Sequence, residues 1–540
     1  MARVSETSGA MVMGWVEMAL RTEVLIIGGG ATGAGISRDL ALRGIPSLLV
    51  EKGDFTSGAS GRNQGLLHSG ARYAVNDPEA ARECIAENRI LRRIAPHCIE
   101  ATGGLFVSLP EDGHEYRADF IRACAAAGIE TEPLTAREVL SMEPKLSPRL
   151  IGAVQVPDGA IDPFTLVVEN VRDAESRGAR FLLHTEVTDL IRDGRRIAGA
   201  RAKDRITGEA ITIAAPWVIN ATGAWANEIL RPVGLQIGIA LSKGSMLITN
   251  TRLSERVINR CRPPASGDII VPNDTVSILG TTSLRTEDLE QQEVTPEEVS
   301  FLVEELAWMI PAVKEERFTR AYAGVRPLVQ SAATGDDREI SRGFVLIDHG
   351  SRDGMEGLIT ITGGKLITYR LMAERTVDFI CTKMGLHVPC LTHLQPLPGA
   401  GRGHTFQDRL LRLRHQIPAS RSELLCDCEL VPRETVDAIL REGRVRELQD
   451  ILHRTRLAKG TCQGGFCVYR LLGVLNERRK EEGLGSSNPM LRAFLEERWK
   501  GIRPVLWGIS VKEEELIESI YKGLFNLTPQ EAGPAEGDRP

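Results

Sequence analysis

Four cysteines near the C-terminus have the spacing that most directly suggests chemistry. They form the pairs Cys426-Asp427-Cys428 and Cys462-Gln463-Gly464-Gly465-Phe466-Cys467, separated by 33 residues. Four thiolates are what a [2Fe–2S] cluster needs, two for each iron, and Gly464-Gly465 leaves backbone N–H groups that could donate to the sulfides. Zinc is the alternative, but structural zinc sites more often use two Cys-x2–4-Cys pairs. The spacing therefore favours the cluster, with Cys426, Cys428, Cys462 and Cys467 as its ligands.

A glycine loop at the other end of the chain predicts a dinucleotide site. Within residues 23–42 an apolar strand runs into Gly28-Gly29-Gly30-Ala31-Thr32-Gly33 and then into an apolar helix. Gly28 permits the tight turn, Gly30 lets the backbone approach a pyrophosphate, and Gly33 allows close packing of helix on strand. Glu51 ends the next predicted strand and is placed to accept hydrogen bonds from an adenosine ribose.

Three later segments favour FAD over NAD. They are a loop of small residues over 56–73, an Ala-Thr-Gly turn after the strand at 217–220, and a glycine pair before a helix at 363–369. The cofactor contacts predicted in these segments are Ser60, Asn63, Gly223, Gly363, Gly364, Lys365, Leu366 and Thr368. No second glycine fingerprint with strand context follows, so the electrons should come from the substrate rather than from NAD(P)H.

These segments resemble, in their order, the FAD-dependent glycerol-3-phosphate dehydrogenases of the D-amino-acid oxidase-like flavoproteins, over about residues 22–525. The most specific motifs are Gly65-Leu66-Leu67-His68-Ser69-Gly70-Ala71-Arg72-Tyr73, Tyr322-Ala323-Gly324-Val325-Arg326-Pro327-Leu328, Ile340-Ser341-Arg342-Gly343 and Gly363-Gly364-Lys365-Leu366-Ile367-Thr368-Tyr369-Arg370. The cysteine module is similar to bacterioferritin-associated-ferredoxin domains, and its presence is typical of the large, A-type subunits of the anaerobic enzymes.

The resemblance implies an α/β (α+β) fold, with a Rossmann-like FAD-binding domain, a β-rich substrate cap and a small helical [2Fe–2S] domain. It implies oxidation of sn-glycerol 3-phosphate to dihydroxyacetone phosphate. Val187 is implied to contact adenine through its backbone.

Substrate chemistry requires cations and a base. A phosphate dianion in a partly desolvated pocket needs arginine forks and a lysine. The candidates are Arg72, Arg326, Arg342 and Lys365, and the resemblance implies that these four residues and Tyr73 line the substrate pocket. His68 and Lys365 are both candidates for the base that takes the hydroxyl proton, with Arg326 polarising the alkoxide, and the sequence does not choose between them. Lys243-Gly244 is typical of a plain turn.

The domain organisation follows from composition and from the motifs. Residues 1–21 are predicted to be a flexible extension, 22–393 the FAD-dependent domain, 394–420 a Pro- and Gly-rich linker, 421–475 the cysteine domain, and 476–540 a helical tail for partner docking. Cap strands should come from parts of 95–170 and 225–345, and two helices from 432–440 and 445–453.

Composition limits the partners. The formal charge of −6 over 540 residues gives no basic field for nucleic acid, and no apolar window reaches the ~18 residues of a spanning helix. Ten cysteines without a secretory signal indicate a reducing cytoplasm, where the six outside the two pairs should be buried thiols. The resemblance implies B- and C-type partner subunits, electron delivery to menaquinone or another quinone, and a peripheral position at the inner face of the cell membrane. Such complexes can also hold FMN, for which this sequence contains no motif.

Two other functions fit parts of the sequence. One is an FAD-dependent dehydrogenase or oxidase of another small hydroxy or amino acid, which would need fewer cations than the predicted pocket supplies. The other is a non-catalytic subunit that relays electrons. Reduction of the flavin by substrate in the isolated chain distinguishes catalysis from relay.

Overall fold

The computed structural model describes residues 20–290, 292–329, 343–403, 405–416, 423–481 and 487–525. Its strands in chain order are β1 Leu20–Arg21, β2 Val24–Ile27, β3 Ser47–Val50, β4 Leu66–Leu67, β5 Ile99–Glu100, β6 Gly104–Ser108, β7 Glu132–Thr135, β8 Gly152–Val156, β9 Gly159–Ile161, β10 Arg180–Leu182, β11 Thr185–Asp193, β12 Arg196–Asp204, β13 Ala210–Ala214, β14 Trp217–Asn220, β15 Ile239–Thr249, β16 Val257–Arg260, β17 Ile269–Asn273, β18 Val276–Gly280, β19 Leu284–Arg285, β20 Phe318–Val329, β21 Phe344–Asp348, β22 Leu358–Gly363, β23 Leu424–Cys426 and β24 Val431–Pro432.

Its α-helices are α1 Ala31–Leu42, α2 Pro78–Ile94, α3 His114–Ala126, α4 Ala136–Met142, α5 Pro163–Ser176, α6 Ala226–Leu230, α7 Pro296–Ala307, α8 His349–Asp353, α9 Tyr369–Met384, α10 Phe406–Gln416, α11 Arg433–Arg441, α12 Leu448–Arg454, α13 Cys467–Glu481, α14 Asn488–Ile502 and α15 Ile509–Phe525. Helix starts follow local chemistry. The carboxylate of Asp162, for example, accepts hydrogen bonds from the backbone of Phe164 and Thr165, and Pro163 occupies the first position of α5.

The cofactor domain is built on a six-stranded sheet with the order β10-β3-β2-β14-β22-β21, in which all neighbours are parallel except β21 and β22. Val24 and Ile26 pack in one core with residues of α1, α5 and α9. Leu25 and Ile27 pack on the other face against the smaller sheet β1-β13-β12-β11. Because both faces are covered, the central strands are continuous apolar runs, and their carboxyl ends are left to form a site.

The cap is a larger sheet with the order β19-β15-β18-β17-β16-β6-β8-β7, to which β20 adds by pairing with β15. Its strands fall within the predicted cap ranges. One face packs against α4 and α7 through residues such as Val139, Leu302 and Leu306. The long antiparallel pair β15 and β20 places Ser242 opposite Arg326 and Gly244 opposite Gly324. This pair brings cap side chains to the cofactor domain.

The C-terminal domain has one core, made by β23 and α11 to α15. Val436, Leu471, Phe494, Ile517 and Tyr521 are all buried in it. The predicted helices at 432–440 and 445–453 correspond to α11 and α12. None of the described helices combines the length and apolar character needed to cross a bilayer.

The predicted domain boundaries differ from the structure at three places. Leu20 and Arg21 pair with β13, because their backbone completes the edge of that sheet, so the fold begins before residue 22; residues 1–19 lie outside the described residues. The predicted linker contains α10, whose Arg409 bonds to Asp274 and Glu429. The boundary at residue 475 falls inside α13, since the predicted tail shares the apolar core of the cysteine domain.

Candidate active site

A cavity of about 950 Å³ opens between the carboxyl ends of the parallel strands and the cap. Most predicted cofactor contacts line it: Gly28, Gly30, Glu51, Ser60, Asn63, Val187, Gly223, Gly363, Gly364, Lys365 and Leu366. Gly33 and Thr368 lie behind its wall. Gly33 packs helix α1 on the turn, and the Thr368 hydroxyl accepts a hydrogen bond from the Lys365 N–H and holds the turn after the glycine pair.

The glycine loop fits a pyrophosphate because larger residues would fill it. A Cβ on Gly33 would lie 1.9 Å from the Gly28 carbonyl oxygen, and one on Gly28, whose φ is +111°, would lie 2.7 Å from the carbonyl oxygen of Ala221. A Cβ on Gly30 would lie 3.0 Å from the hydroxyl oxygen of Ser60. Helix α1 begins at Ala31, directly after Gly30, so its N-terminus faces the space that the glycines leave.

Glu51 fixes the loop as well as lining the cavity. Its carboxylate accepts hydrogen bonds from the backbone N–H of Gly29 (2.6 Å) and of Gly53 (2.9 Å). Burial raises the pKa of Glu51, and these two bonds oppose the rise. A carboxylate has about four acceptor positions, so two remain for ribose hydroxyls.

The predicted substrate residues lie on the same cavity. His68, Arg72, Tyr73, Arg326 and Lys365 all line it. The Lys365 Nζ lies 5.0 Å from the centre of the Tyr73 ring, and the rings of Tyr73 and His68 are also 5.0 Å apart. The predicted contact Arg342 lies outside the described residues.

His68 is a buried histidine between two cations. Burial, Arg72 and Lys365 together lower its pKa to about 3, so the free protein holds it neutral. Its Nδ1 is buried and has no hydrogen-bond partner among the described residues. A buried nitrogen of this kind is available to a ligand or to an ordered water molecule.

Arg72 is held in place by a residue that the sequence did not single out. Its Nη2 donates to the carbonyl oxygen of Ala265 (2.9 Å) and to the buried carboxylate of Asp268 (3.1 Å). Asp268 also pairs with Arg262 at 2.7 Å. The Arg72 Nη1 is buried, and the described part of the chain gives it no partner. Asp268 stands 196 positions after Arg72, so no local signal marks the pair.

Arg326 depends on small residues of the cap. Its Nη2 donates to the hydroxyl of Thr281 and to the carbonyl oxygen of Thr282 (3.1 Å). A Cβ on Gly244 would lie 2.0 Å from the same Nη2. The predicted turn at Lys243-Gly244 is therefore wrong: these residues lie inside β15, where the missing side chain leaves room for the guanidinium. A glycine inside an apolar strand is the signal that could have marked this position.

The four predicted cluster ligands converge on one end of the C-terminal domain. Cys426 ends β23 and Cys467 begins α13. The sulfurs of Cys428 and Cys462 are 3.9 Å apart, and both residues are half-buried. Hydrogen bonds with Cys426 and Cys462 lower the pKa of Cys428, whereas the hydrogen bond with Cys428 raises the pKa of Cys426 to about 12.

Glu429 connects the cysteine loop to the cap. Its buried carboxylate accepts hydrogen bonds from Arg456 (2.5 Å), from Arg409 of α10 (2.9 Å) and from the hydroxyl of Thr275 (2.8 Å). Thr275 lies between the cap strands β17 and β18. The residue directly after a predicted cluster ligand is thus bonded to the domain that covers the cofactor cavity.

Asp54 connects the nucleotide loop to helix α12. Its buried carboxylate accepts hydrogen bonds from His453 (2.9 Å) and, through both oxygens, from Arg454 (2.8 Å each). Burial raises the pKa of Asp54, but these bonds outweigh it and lower the pKa overall. Asp450, on the same helix, forms a second pair of this kind with His184, at 3.0 Å.

The other six cysteines are all buried, as expected. Among the described residues, one group of side chains could offer three metal-ligand atoms within 4.8 Å of one another: Glu374, Cys390 and His393. Glu374 is already paired with Arg370 at 2.8 Å, and Cys390 contacts the Thr392 hydroxyl at 3.0 Å. These contacts explain why the three side chains lie together without a metal ion.

Comparison with known proteins gives one family match. The family described as FAD dependent oxidoreductase matches residues 23–370, which include the cofactor domain and the cap.

Two relatives are similar along almost the whole chain. The A-type subunit of the anaerobic glycerol-3-phosphate dehydrogenase of Escherichia coli (strain K12) is 46% identical over 531 residues, which cover 94% of this chain and 98% of the relative. The A1-type subunit of the anaerobic glycerol-3-phosphate dehydrogenase of Haloferax volcanii is 40% identical over 546 residues, 95% of this chain and 92% of the relative.

A solved structure that shares the fold over most of the chain shows the same architecture. It is the glycerol-3-phosphate dehydrogenase of Bacillus halodurans complexed with FAD, which superposes with a TM-score of 0.61 at 23% identity. The match covers 90% of this chain and 96% of the other.

Proposed function

The chain belongs to the FAD-dependent oxidoreductases and, within them, to the A-type subunits of anaerobic glycerol-3-phosphate dehydrogenase, and on this premise we propose that it oxidises sn-glycerol 3-phosphate to dihydroxyacetone phosphate. One observation supports the substrate above all: Arg72, Arg326 and Lys365 line the same cavity as the glycine cradle. Three cations around one small space suit a phosphate dianion better than a monoanionic carboxylate.

FAD, when bound, accepts the hydride from C2 of the substrate, and a [2Fe–2S] cluster passes electrons on singly. For FAD, Gly28, Gly30 and the N-terminus of α1 would hold the pyrophosphate, and Glu51 the ribose. Val187 would contact adenine. The Gly363-Gly364 turn would face the ring system.

The phosphate of the substrate would bind where Arg72 is already oriented. Asp268 and Ala265 hold its Nη2, which leaves the buried Nη1 for a phosphate oxygen. Lys365 and Tyr73 complete this end of the pocket. Arg326, held by Thr281 and Thr282, would stabilise the alkoxide that develops at C2.

His68 is the base that we propose. A base must be unprotonated before it acts, and His68 is neutral because it is buried beside Arg72 and Lys365. A phosphate dianion bound to those two cations would offset their charge and raise the pKa of His68 towards its ordinary value. Substrate binding would therefore strengthen the base at the moment when it is needed. Lys365 would then act in phosphate binding.

The cysteines support a two-iron cluster better than zinc. A tetrahedral zinc ion with bonds of about 2.3 Å holds all four sulfurs less than about 4 Å from one another. The described cysteines do not include three sulfurs within 4.8 Å of one another. Two cysteine pairs that serve two irons allow this larger spread.

The electrons would leave at the C-terminal domain. Phe466, which precedes Cys467, is 42% exposed, and Trp499 and Trp507 are each 47% exposed. The exposed Phe466 in the loop between Cys462 and Cys467, together with two exposed tryptophans of the same domain, suits the docking of a protein partner. B- and C-type subunits at the inner face of the cell membrane, which deliver electrons to a quinone, would be that partner.

Anaerobic reduction of the flavin tests the function. The chain is purified without oxygen and mixed with sn-glycerol 3-phosphate, and the flavin absorbance is followed, with glycerol and lactate as controls. Bleaching by glycerol 3-phosphate alone is expected. Bleaching by lactate would instead support a dehydrogenase of hydroxy acids, and no bleaching in a flavin-loaded protein would support an electron-relay role.

A further inference from the structure

A second cavity, of about 350 Å³, lies between the cofactor domain and the C-terminal domain. Its walls come from the nucleotide loop near Arg62, from strand β20 at Arg320, and from the C-terminal domain at Lys459 and α14. It is separate from the substrate residues, since none of His68, Arg72, Arg326 or Lys365 lines it.

Arg320 is the unusual residue of this cavity. Its Nε is buried and, among the described residues, has no hydrogen-bond partner. Helix α14 lies across its side chain, because a Cβ on Gly501 would come within 2.8 Å of the Arg320 Cγ. Burial and the neighbouring cations Arg498 and Arg62 lower the pKa of Arg320, against the opposing effect of Glu497. A guanidinium stays charged at any working pH, and Arg320 is half-buried with an inaccessible Nε, so an anion beside it would be favourable.

Two other cations at the cavity already have their own carboxylates. Arg498 is paired on both nitrogens with Glu514 (2.7 and 2.8 Å), and Lys459 lies 3.7 Å from Asp162. Neither of these carboxylates is therefore available to offset the charge of Arg320.

Glu497 is the acid beside Arg320, but it is shared with two further cations. Its carboxylate lies 3.9 Å from Arg62 and 3.3 Å from Lys500. Three cations around one carboxylate leave an excess of positive charge at the wall of the cavity.

We propose that this cavity is an anion site for phosphate, either inorganic phosphate or the phosphate of a small monoester, which Arg320 binds together with Arg62 and Lys500. Phosphate supplies two charges and oxygens in the geometry that a guanidinium fork prefers. Phe164 and Phe494 line the same cavity and would contact the carbon portion of a monoester. The site is distinct from the proposed substrate pocket, and the inference does not rest on the proposed function.

Calorimetry on the full chain tests the site. An Arg72→Gln background weakens phosphate binding at the substrate pocket, and inorganic phosphate is then titrated into this variant at constant ionic strength. We expect one remaining site, which Arg320→Gln, added to that background, weakens by at least about tenfold, or ~1.4 kcal/mol. Arg196→Gln, at an exposed arginine outside the cavity, is the matched control and should change nothing.

A second variant covers the case in which Arg320→Gln fails to fold. Lys500 is exposed, and Lys500→Gln should fold and weaken the same site by a few-fold. Ribose 5-phosphate, titrated in parallel, distinguishes the sources: tighter binding than inorganic phosphate indicates a monoester, and equal or weaker binding indicates the free ion. Phosphate binding that is unchanged by both Arg320→Gln and Lys500→Gln would overturn the proposal.

Discussion

The cofactor cavity and the cysteine loop are built from different parts of the chain. The cavity is shaped by backbone: Gly28, Gly30 and Gly33 leave space, and Glu51 binds backbone N–H groups. The cysteine loop offers side chains, four thiols, and is attached by ion pairs such as that of Glu429 with Arg456. A site made by backbone tolerates changes at few positions, whereas a site made by side chains can lose its ligand and keep its fold.

The two regions also differ in depth. The cavity lies at the carboxyl ends of central strands that are covered on both faces, whereas Cys428 and Cys462 are half-buried near the exposed Phe466. This difference matches the direction that we propose for the electrons, from an enclosed substrate to a protein surface. If the two regions are separate sites, each should be removable without the other.

Removal of one thiol should give the largest effect. Cys428→Ser takes away one cluster ligand, so transfer of electrons through the cluster to the partner subunits should fall below detection. Bleaching of the flavin by glycerol 3-phosphate should continue, because Cys428 does not line the substrate cavity. Stopped-flow absorbance of the flavin, together with electron paramagnetic resonance of the cluster, measures both steps.

Cys390→Ser is the matched control, since Cys390 is a buried thiol that belongs to neither cysteine pair. It should leave both steps unchanged. Loss of flavin reduction in Cys428→Ser would show that the two regions are not independent.

The next largest effect is expected on the activity of the substrate pocket alone. Arg326→Gln removes the charge that we place beside the developing alkoxide and should lower kcat/KM by ~10²–10³-fold. Arg326→Lys keeps the charge but loses the fork between Thr281 and Thr282, and we expect intermediate activity. Steady-state kinetics with glycerol 3-phosphate gives both values.

The flavin and iron content of both Arg326 variants should equal that of the wild type. A fall in kcat/KM of less than about threefold in Arg326→Gln would remove Arg326 from the proposed mechanism.

The sequence predicted the parts of both sites that depend on short-range signals. The glycine loop needs a strand, a turn and a helix within residues 23–42, and all three are present. The fold class was confirmed as well, because the motifs that carry the family resemblance are themselves short local segments. The cysteine pairs were found because each pair is local.

Contacts between distant segments could not be predicted in this way. Arg72 depends on Asp268, and Asp54 depends on His453 and Arg454 about 400 positions later. Which ion pairs form there depends on how the domains pack, and periodicity does not encode that packing. The predicted tail is a similar case: it was assigned to partner docking from its tryptophans, whereas its apolar residues pack in the core of the cysteine domain that precedes it in the chain.

The ion pairs that attach helix α12 of the C-terminal domain to the nucleotide loop can be weakened directly. Asp54→Asn leaves Arg454 and His453 buried with a neutral partner, and it should lower the stability of the C-terminal domain by about 3 kcal/mol. Limited proteolysis and thermal unfolding should show earlier loss of residues 423–525.

Asp189→Asn breaks an exposed pair with Arg201 and should cost less than about 0.5 kcal/mol. If Asp54→Asn behaves like Asp189→Asn, the ion pairs do not hold the domains together.

The smallest expected effect is a dependence of stability on pH that comes from His68 in the cofactor cavity and not from the domain interface. His68 has a pKa of about 3 in the folded protein and about 6.5 when unfolded, so below pH 6.5 the unfolded state takes up a proton that the native state does not. The stability that neutral His68 contributes is complete above pH 6.5 and falls as the pH drops towards 3. At pH 5 the loss is about 2 kcal/mol, from ~1.4 kcal/mol for each pH unit.

His68→Asn does not titrate, so the fall in melting temperature between pH 7 and pH 5 should be smaller in this variant than in the wild type. His387→Asn, at an exposed histidine, is the control and should show the same fall as the wild type. A His68→Asn curve parallel to the wild type would mean that the fold does not lower the pKa of His68, so burial beside Arg72 and Lys365 would not be what keeps the proposed base neutral.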